Sequence, residues 1–144
     1  MQPNKKEFEN VLDIQGLAKV QAILNEHHFK NEWEAYKFDC VDTSIATAEF
    51  LQQQGYNAKF MIKWSNDTAI RGHVYPVVYV KNGWVAVETT AKMDKTLGVV
   101  KRDSNLLKGQ VVPTIEELRR IDNETLVTQG APAPVEYSLN EVIV

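Results

Sequence analysis

The sequence lacks several features that would place it in a specialised class. Cys40 is the only cysteine among 144 residues, so no internal disulfide can form. No run of 18 apolar residues occurs, and we expect no membrane-spanning helix. The first ten residues are polar and have no apolar core typical of a secretion signal, which makes the cytoplasm the default expectation.

Neither sign of charge dominates the chain. Lys and Arg number 16 against 19 Asp and Glu, a formal net charge of −3. Such a chain has no general field that would attract a phosphate backbone, and nucleic acid is not expected as a partner. The three histidines and one cysteine do not have the spacing of metal ligands, so we expect neither a zinc site nor a cofactor.

The composition that remains is that of an ordinary globular protein. Hydrophobic residues make up 44% and charged residues 24%, which excludes collagen, coiled coil and complete disorder. The length is close to the commonest size of one domain, and there is neither an internal repeat nor a clear linker. We therefore expect a single domain over residues 1–144.

Apolar residues spaced three and four apart predict helices in the first part of the chain. The first helix is expected over Lys5–Phe29, interrupted near Gly16. The second should begin at Asp39, an N-cap residue, with Asp42 in the capping-box position. Gly55 should end it as the residue that follows the C-cap.

A period of two then replaces the helical period and predicts strands. The alternating segments are Ala58–Trp64, His73–Val80 and Trp84–Thr89. Asn82-Gly83 is a strong hairpin signal between the last two. Helices followed by an antiparallel sheet make an α+β fold.

The pattern is weaker after Ala91. Pro113–Ile121 is expected to form a short helix, capped by Thr114 or by a residue just before Pro113. Gly130–Pro134 reads as a stiff loop, and Val135–Val144 is either a last strand or a tail.

Cys40 is the first residue that could carry chemistry. In the first turn of a helix its sulfur would lie near unpaired N–H groups, which favour the thiolate and could donate to an oxyanion. Asp39 and Asp42 would act against the thiolate by adding negative charge nearby. The alternative is a buried structural cysteine, because free cysteine is among the most buried residue types.

His73 and Glu88 are the next candidates. His73 opens an otherwise apolar strand, and is either a packed histidine or one that faces a site. Glu88 interrupts the apolar end of the next strand, where it needs a partner such as an imidazolium or else points outwards. A two-residue turn at Asn82-Gly83 would leave the two side chains on the order of 13 Å apart along the ladder. Contact then requires a bulge, strong twist or a different loop, and Pro76 makes local disruption of the ladder plausible.

The order of these residues resembles the transglutaminase-like superfamily of papain-like Cys-His-Asp enzymes. The cysteine helix of that family ends in Gly-x-x-Ala-Arg, to which Gly55–Lys59 is similar. Its His-Ala-Trp strand is similar to His73–Tyr75, and its Gly-x-Trp-x-x-x-Asp-Pro-Thr strand resembles Gly83–Thr90, with Glu88 in place of Asp. The resemblance covers about residues 38–90.

The resemblance implies a transglutaminase-like, cysteine-proteinase-like core with the cysteine helix packed on the sheet. It further implies a catalytic triad of Cys40, His73 and Glu88 that performs thiol acyl transfer. The expected reaction is hydrolysis of an amide or isopeptide bond in a peptide or protein, rather than cross-linking to an amine. The alternatives are a non-catalytic module of the same fold that binds a peptide or partner protein, and a plain domain with a buried cysteine. If Glu88 is not the third residue, Asp39, Asp42 or Asp94 replaces it.

Overall fold

The computed structural model of the chain describes residues 16–32, 34, 38–64, 72–81, 83–90, 96–128 and 142–143. The elements within these ranges are α1 (Leu17–Asn25), β1 (His28–Phe29), α2 (Cys40–Gln53), β2 (Ala58–Trp64), β3 (Gly72–Val80), β4 (Gly83–Glu88), β5 (Val99–Lys101), a 3-10 turn (Ser104–Leu107), β6 (Gln110–Val112), α3 (Ile115–Thr128) and β7 (Val142–Ile143). The predicted α+β class is confirmed. No helix of these ranges has both the length and the apolar character to cross a membrane.

Five strands form one antiparallel sheet in the order β5-β4-β3-β2-β6, with β3 at its centre. The three strands predicted from alternation are confirmed to within one residue at their ends. Helix α2 packs on β2 and β3, while α1 contacts β5 and α3 contacts β6. The main hydrophobic core lies between the helices and the face of the sheet on which they pack. It includes Leu24, Ile45, Phe60, Val78 and Leu118.

Both ends of α2 have the predicted capping residues. The Asp39 carboxylate accepts the N–H of Val41 at 3.0 Å, and the Asp42 carboxylate accepts the N–H of Asp39 at 3.0 Å. At the other end Gly55 has φ 91°, and the N–H groups of Gly55 and Tyr56 donate to Gln52 and Leu51. This is a Schellman motif, in which a left-handed residue lets the chain leave the helix. The ends of the cysteine helix are therefore fixed by local chemistry.

The hairpin between β3 and β4 differs from the prediction. Val80 pairs with Gly83 and Tyr79 with Trp84, so Gly83 belongs to β4 and is not a turn residue as predicted. Lys81 adopts φ 37°, a left-handed value that turns of this kind need at their first central position. The register of β4 against β3 is consequently displaced by two residues.

The first helix is shorter than predicted, and its C-terminal end was placed wrongly. α1 ends at Asn25, and His28–Phe29 forms a strand that pairs with Val142–Ile143. Phe29 is buried in the core from this strand, so tertiary packing outweighs the helical spacing of the segment. The part of the prediction that covers Lys5–Gln15 lies outside the described residues.

The second half of the sequence contains more structure than its pattern indicated. Helix α3 continues to Thr128, seven residues beyond the predicted end, and the Thr114 hydroxyl accepts the N–H of Glu117 at its start. Val142–Ile143 shows that the last segment includes a strand. The loop predicted at Gly130–Pro134 and residues 135–141 lie outside the described ranges.

Gly98 lets β5 approach the end of β4 closely. It has φ 141°, and a Cβ added there would lie 2.6 Å from Val87 Cγ1 and 2.7 Å from the Glu88 carbonyl oxygen. We expect Gly98→Ala to lower the free energy of unfolding by about 2 kcal/mol, because of backbone strain and this overlap. Urea denaturation measures the change, and Gly83→Ala is the control, since nothing lies within 4 Å of its added Cβ. Equal stability of the two variants would contradict the close approach.

Candidate active site

His73 and Glu88 meet at the start of β3 and the end of β4. His73 Nε2 and Glu88 Oε2 are 3.1 Å apart, with the side chains 41% and 29% exposed. The two-residue displacement of the hairpin explains the contact, because the observed register extended along the strands would place Glu88 opposite Tyr75. His73, two residues before Tyr75, is then a diagonal neighbour of Glu88 on the same face of the sheet, and long side chains can span that distance.

Pro76 coincides with the end of the ladder between these strands. The pairs of β3 with β4 run from Val80–Gly83 to Val77–Ala86, and Pro76 follows with no N–H to donate. A different loop was one of the three alternatives that contact between His73 and Glu88 required, and it is the one observed. The ion pair lies just beyond the point where the regular ladder stops.

Glu88 is held as a carboxylate by several donors. Its Oε1 accepts the Thr90 hydroxyl at 2.7 Å and the Thr90 N–H at 3.1 Å, while Oε2 faces His73. Burial acts to raise the pKa of Glu88, but the hydrogen bonds from His73 and Thr90 outweigh it and lower the pKa to about 2. Glu88 is thus ionised across the neutral range and available to orient an imidazole.

His73 is a strong base in this setting. Its pKa rises from 6.5 to about 10, and the largest cause is a hydrogen bond with the side chain of Cys40, followed by the one with Glu88. Burial opposes the rise without cancelling it. The imidazole of His73 therefore interacts with Cys40 on one side and Glu88 on the other, and it carries a proton at neutral pH.

Cys40 is the first residue of α2 and is half-buried. The predicted opposition from Asp42 is weakened by its burial. Burial, followed by the negative charge of Asp39 and Asp122, raises the pKa of Asp42, although the N–H of Asp39 partly offsets this. Asp42 therefore carries less negative charge near the sulfur than an ordinary aspartate would.

Three hydroxyls on α2 fix the cysteine helix to the sheet side of the fold, and two of them bond beside His73 and Glu88. Thr43 and Thr89 share a hydrogen bond of 2.8 Å, which joins the first turn of α2 to the residue after Glu88. Ser44 donates to the carbonyl of Val74, the residue after His73, at 3.2 Å. Thr47 donates to Leu97 at 2.8 Å. These buried bonds set the position of Cys40 relative to both strands.

A small pocket opens beside Cys40 on the helix side of the sheet. It encloses about 40 Å³ and is bounded by the first turn of α2, by strands β2 and β3, and by α3. Its lining residues are Cys40, Val41, Ile62, Trp64, Gly72, Val74, Leu118, Ile121, Asp122 and Thr125. The thiol thus has open space next to it.

A larger cavity, about 250 Å³, lies on the opposite face of the sheet. It is lined by Lys59, Met61, Val77, Trp84, Leu107 and Val111, and contains none of the three predicted catalytic residues. The Lys59 ammonium lies 5.5 Å from the Trp84 ring centroid at this site. This cavity is separate from the chemistry at Cys40.

Sequence reasoning missed the residues that support the site. Thr43, Ser44 and Thr47 lie among the buried apolar residues of α2, and that position was the available signal, because a buried hydroxyl needs an acceptor. Of the other candidates for the third residue, Asp39 and Asp42 cap α2, and Asp94 lies outside the described residues. Within the described ranges, no group of three His, Cys, Asp or Glu side chains is arranged to hold a metal ion.

Comparisons of the chain with protein-family models, with curated proteins and with solved structures found no match. Any functional assignment must therefore come from the chemistry of Cys40, His73 and Glu88 themselves.

Proposed function

We propose that the protein is a thiol acyl-transfer enzyme that hydrolyses an amide or isopeptide bond of a peptide or protein through an acyl-enzyme. The observation that carries the proposal is the position of His73, which interacts with Cys40 and with the ionised Glu88. A nucleophile, a base and a group that orients the base are the three components of such a site.

The reaction begins with attack of the Cys40 thiolate on the amide carbonyl carbon. A carbon–sulfur bond forms, and the carbonyl oxygen becomes an oxyanion. The N–H of Cys40, which has no acceptor among the described residues, lies at the positive end of α2 and can donate to that oxyanion. Val41 N–H is unsuited to this role because Asp39 already accepts it.

Breakdown of the intermediate needs the proton on His73. The imidazolium gives it to the departing nitrogen, the carbon–nitrogen bond breaks, and a thioester remains on Cys40. Neutral His73 then takes a proton from water, whose oxygen attacks the thioester. The carbon–sulfur bond breaks and releases the carboxylic acid, which leaves the Cys40 thiolate beside a His73 that is protonated again. Glu88 holds the ring orientation and stabilises the imidazolium throughout.

The arrangement of the three residues also supports the resemblance to the transglutaminase-like superfamily. Cys40 begins a helix packed on the sheet, and His73 and Glu88 lie on the neighbouring antiparallel strands that follow it. We extend the proposal to a transglutaminase-like core on these grounds. Water is the acceptor we favour, because the described residues around Cys40 show no second binding feature for an amine.

Alkylation by iodoacetamide tests the proposal directly, since Cys40 is the only thiol. An active triad should make the folded protein react at pH 7 about 10-fold faster than glutathione, because an unperturbed thiol of pKa about 8.5 is only a few per cent thiolate there. A reaction no faster than glutathione would oppose an acyl-transfer role. Labelling only after denaturation would identify a buried structural cysteine.

Glu88→Gln separates an orienting carboxylate from a surface one. The amide cannot stabilise the imidazolium by charge, so we expect the rate of thiol acylation to fall about 10–100-fold with the fold retained. The rate of acylation by p-nitrophenyl acetate and the melting temperature are measured on the same variant, so that loss of reactivity is separated from loss of the fold. Glu116→Gln, an exposed change on α3, is the control. Unchanged acylation and melting would remove Glu88 and leave a Cys-His dyad.

The cavity on the outer face favours a second candidate, a non-catalytic module that binds a peptide or partner protein. Its walls are mainly apolar, and Val111 and Tyr79 near it are 53% and 43% exposed. Exposed apolar surface around a cavity is typical of binding sites. A slow thiol together with peptide binding that is lost in Val111→Asp would favour this candidate over the enzyme.

A further inference from the structure

The pocket beside Cys40 has a definite shape and chemistry. Trp64, 48% exposed, forms part of its wall, and its Nε1–H donates to Gln110 Oε1 at 2.7 Å, which fixes the indole. A Cβ on Gly72 would lie 2.9 Å from the Lys63 carbonyl oxygen and 3.3 Å from Trp64 Cε3. Glycine at this position therefore permits the close approach of Trp64. The wall is built by specific contacts.

The walls are mostly apolar. Ile62 and Val74 come from the sheet, and Leu118 and Ile121 come from α3, with Leu118 fully buried. Asp122 is the only charged residue that lines the pocket among the described residues. A single water molecule needs about 10–15 Å³ of cavity volume. The pocket of about 40 Å³ therefore admits about three water-sized groups. That is the length of a short aliphatic chain.

Resting on the proposed function, we infer that the acyl group transferred to Cys40 carries a short, uncharged aliphatic side chain that fills this pocket. A substituent on the carbonyl carbon lies within a few bonds of the sulfur once the thioester forms, and Cys40 lines this pocket. Chains too long for this volume would overlap the wall, which includes Leu118 and Ile121. An acidic side chain would be placed against the carboxylate of Asp122 in a poorly solvated space, which is unfavourable.

Alkyl methanethiosulfonates test the inference without knowledge of the substrate. The thiolate attacks the sulfenyl sulfur, a mixed disulfide forms, and methanesulfinate leaves, so the alkyl group comes to lie beside Cys40. The rate at which Cys40 reacts is measured with the propyl, hexyl and 2-carboxyethyl reagents. Each rate is divided by the rate at which the same reagent reacts with glutathione. We expect the propyl reagent to be favoured about 5–10-fold over each of the others, a difference of about 1–1.4 kcal/mol.

Ile121→Ala and Ile115→Ala provide a matched pair of variants. Both isoleucines are half-buried on α3 against the core, but only Ile121 lines the pocket. Ile121→Ala should raise the normalised hexyl rate several-fold and leave the propyl rate nearly unchanged, whereas Ile115→Ala should change neither. Melting temperatures of both variants confirm that the comparison is made on folded protein.

Failure of this inference and failure of the proposed function give different results. Slow reaction with every reagent relative to glutathione would oppose the enzyme, while a preserved preference for propyl would still support the pocket. Fast reaction with equal normalised rates for the three reagents, or equal effects of the two alanine variants, would overturn the inference and keep the enzyme. Absence of any labelling of the folded protein would overturn both, because the pocket would then not give access to the sulfur.

Discussion

Cys40→Ala should abolish acyl transfer, with the expected loss on the order of 10³-fold or more in the rate of acylation by p-nitrophenyl acetate. The alanine has no atom that can form a bond to the acyl carbon, so the acyl-enzyme cannot exist. Since Cys40 is the only cysteine, no other thiol can replace it. Intact-mass spectrometry should detect one acetyl group on the wild-type chain and none on the variant.

Cys40→Ser distinguishes loss of the nucleophile from loss of structure. The hydroxyl keeps the approximate volume of the thiol at the start of α2, where the Asp39 and Asp42 capping bonds do not involve the side chain of Cys40. We expect an unchanged melting temperature and an acylation rate close to that of Cys40→Ala, because a hydroxyl at this position is far less ionised than a thiol. A wild-type acylation rate in either variant would show that the chemistry occurs elsewhere.

The parts of the fold that the sequence made predictable are those determined by local chemistry. Asp39, Asp42 and Gly55 mark the ends of the cysteine helix, and each acts in the structure through bonds to residues fewer than six positions away. The alternation in Ala58–Trp64 is similarly local, because a strand with one face in the core has to repeat every two residues. Such signals do not depend on what the rest of the chain does.

The parts that were missed depend on distant partners. Val99–Lys101 and Gln110–Val112 are three-residue strands, too short to show a period, and they exist through pairing with β4 and β2. His28–Phe29 follows helical spacing but pairs with Val142–Ile143 at the other end of the chain. No local pattern contains that information.

The candidate site shows the same division. The residue types and order of Cys40, His73 and Glu88 were readable, but the contact between the last two depended on a turn of two residues. Asn82-Gly83 is the commoner turn signal, and it would have kept the side chains apart. The observed pairing of Val80 with Gly83 shifts β4 by two positions, a change that preserves which face each side chain occupies. The inward and outward pattern of the strand therefore could not distinguish the two registers.

His73→Asn should convert Cys40 to the behaviour of an ordinary thiol. In the wild-type protein the pKa of His73 is about 10, so the imidazolium beside the sulfur persists throughout the neutral range. Loss of this positive charge beside the sulfur should lower the rate at which Cys40 reacts with iodoacetamide. At pH 7 the variant should be about 10-fold slower.

The same variant predicts a change in the pH dependence of stability. A histidine whose pKa is 6.5 when unfolded and about 10 when folded stabilises the fold fully below pH 6.5, and this contribution is lost as the pH rises toward 10. Because the His73 side chain is 41% exposed, solvent screening limits the effect, and we expect about 1 kcal/mol. Urea denaturation at several pH values should show this alkaline loss in the wild type and not in His73→Asn.

His28→Asn is the control for both measurements of His73. His28 is an exposed histidine in β1, so its replacement removes an imidazole of the same kind without contact with Glu88. It should leave the alkylation rate and the alkaline loss of stability unchanged. If His73→Asn keeps the wild-type alkylation rate at pH 7, the imidazolium does not activate the thiol, and the helix start alone must account for the reactivity of Cys40. If His73→Asn and His28→Asn show the same fall in the free energy of unfolding as the pH rises, that fall does not arise from the bonds of His73 to Cys40 and Glu88.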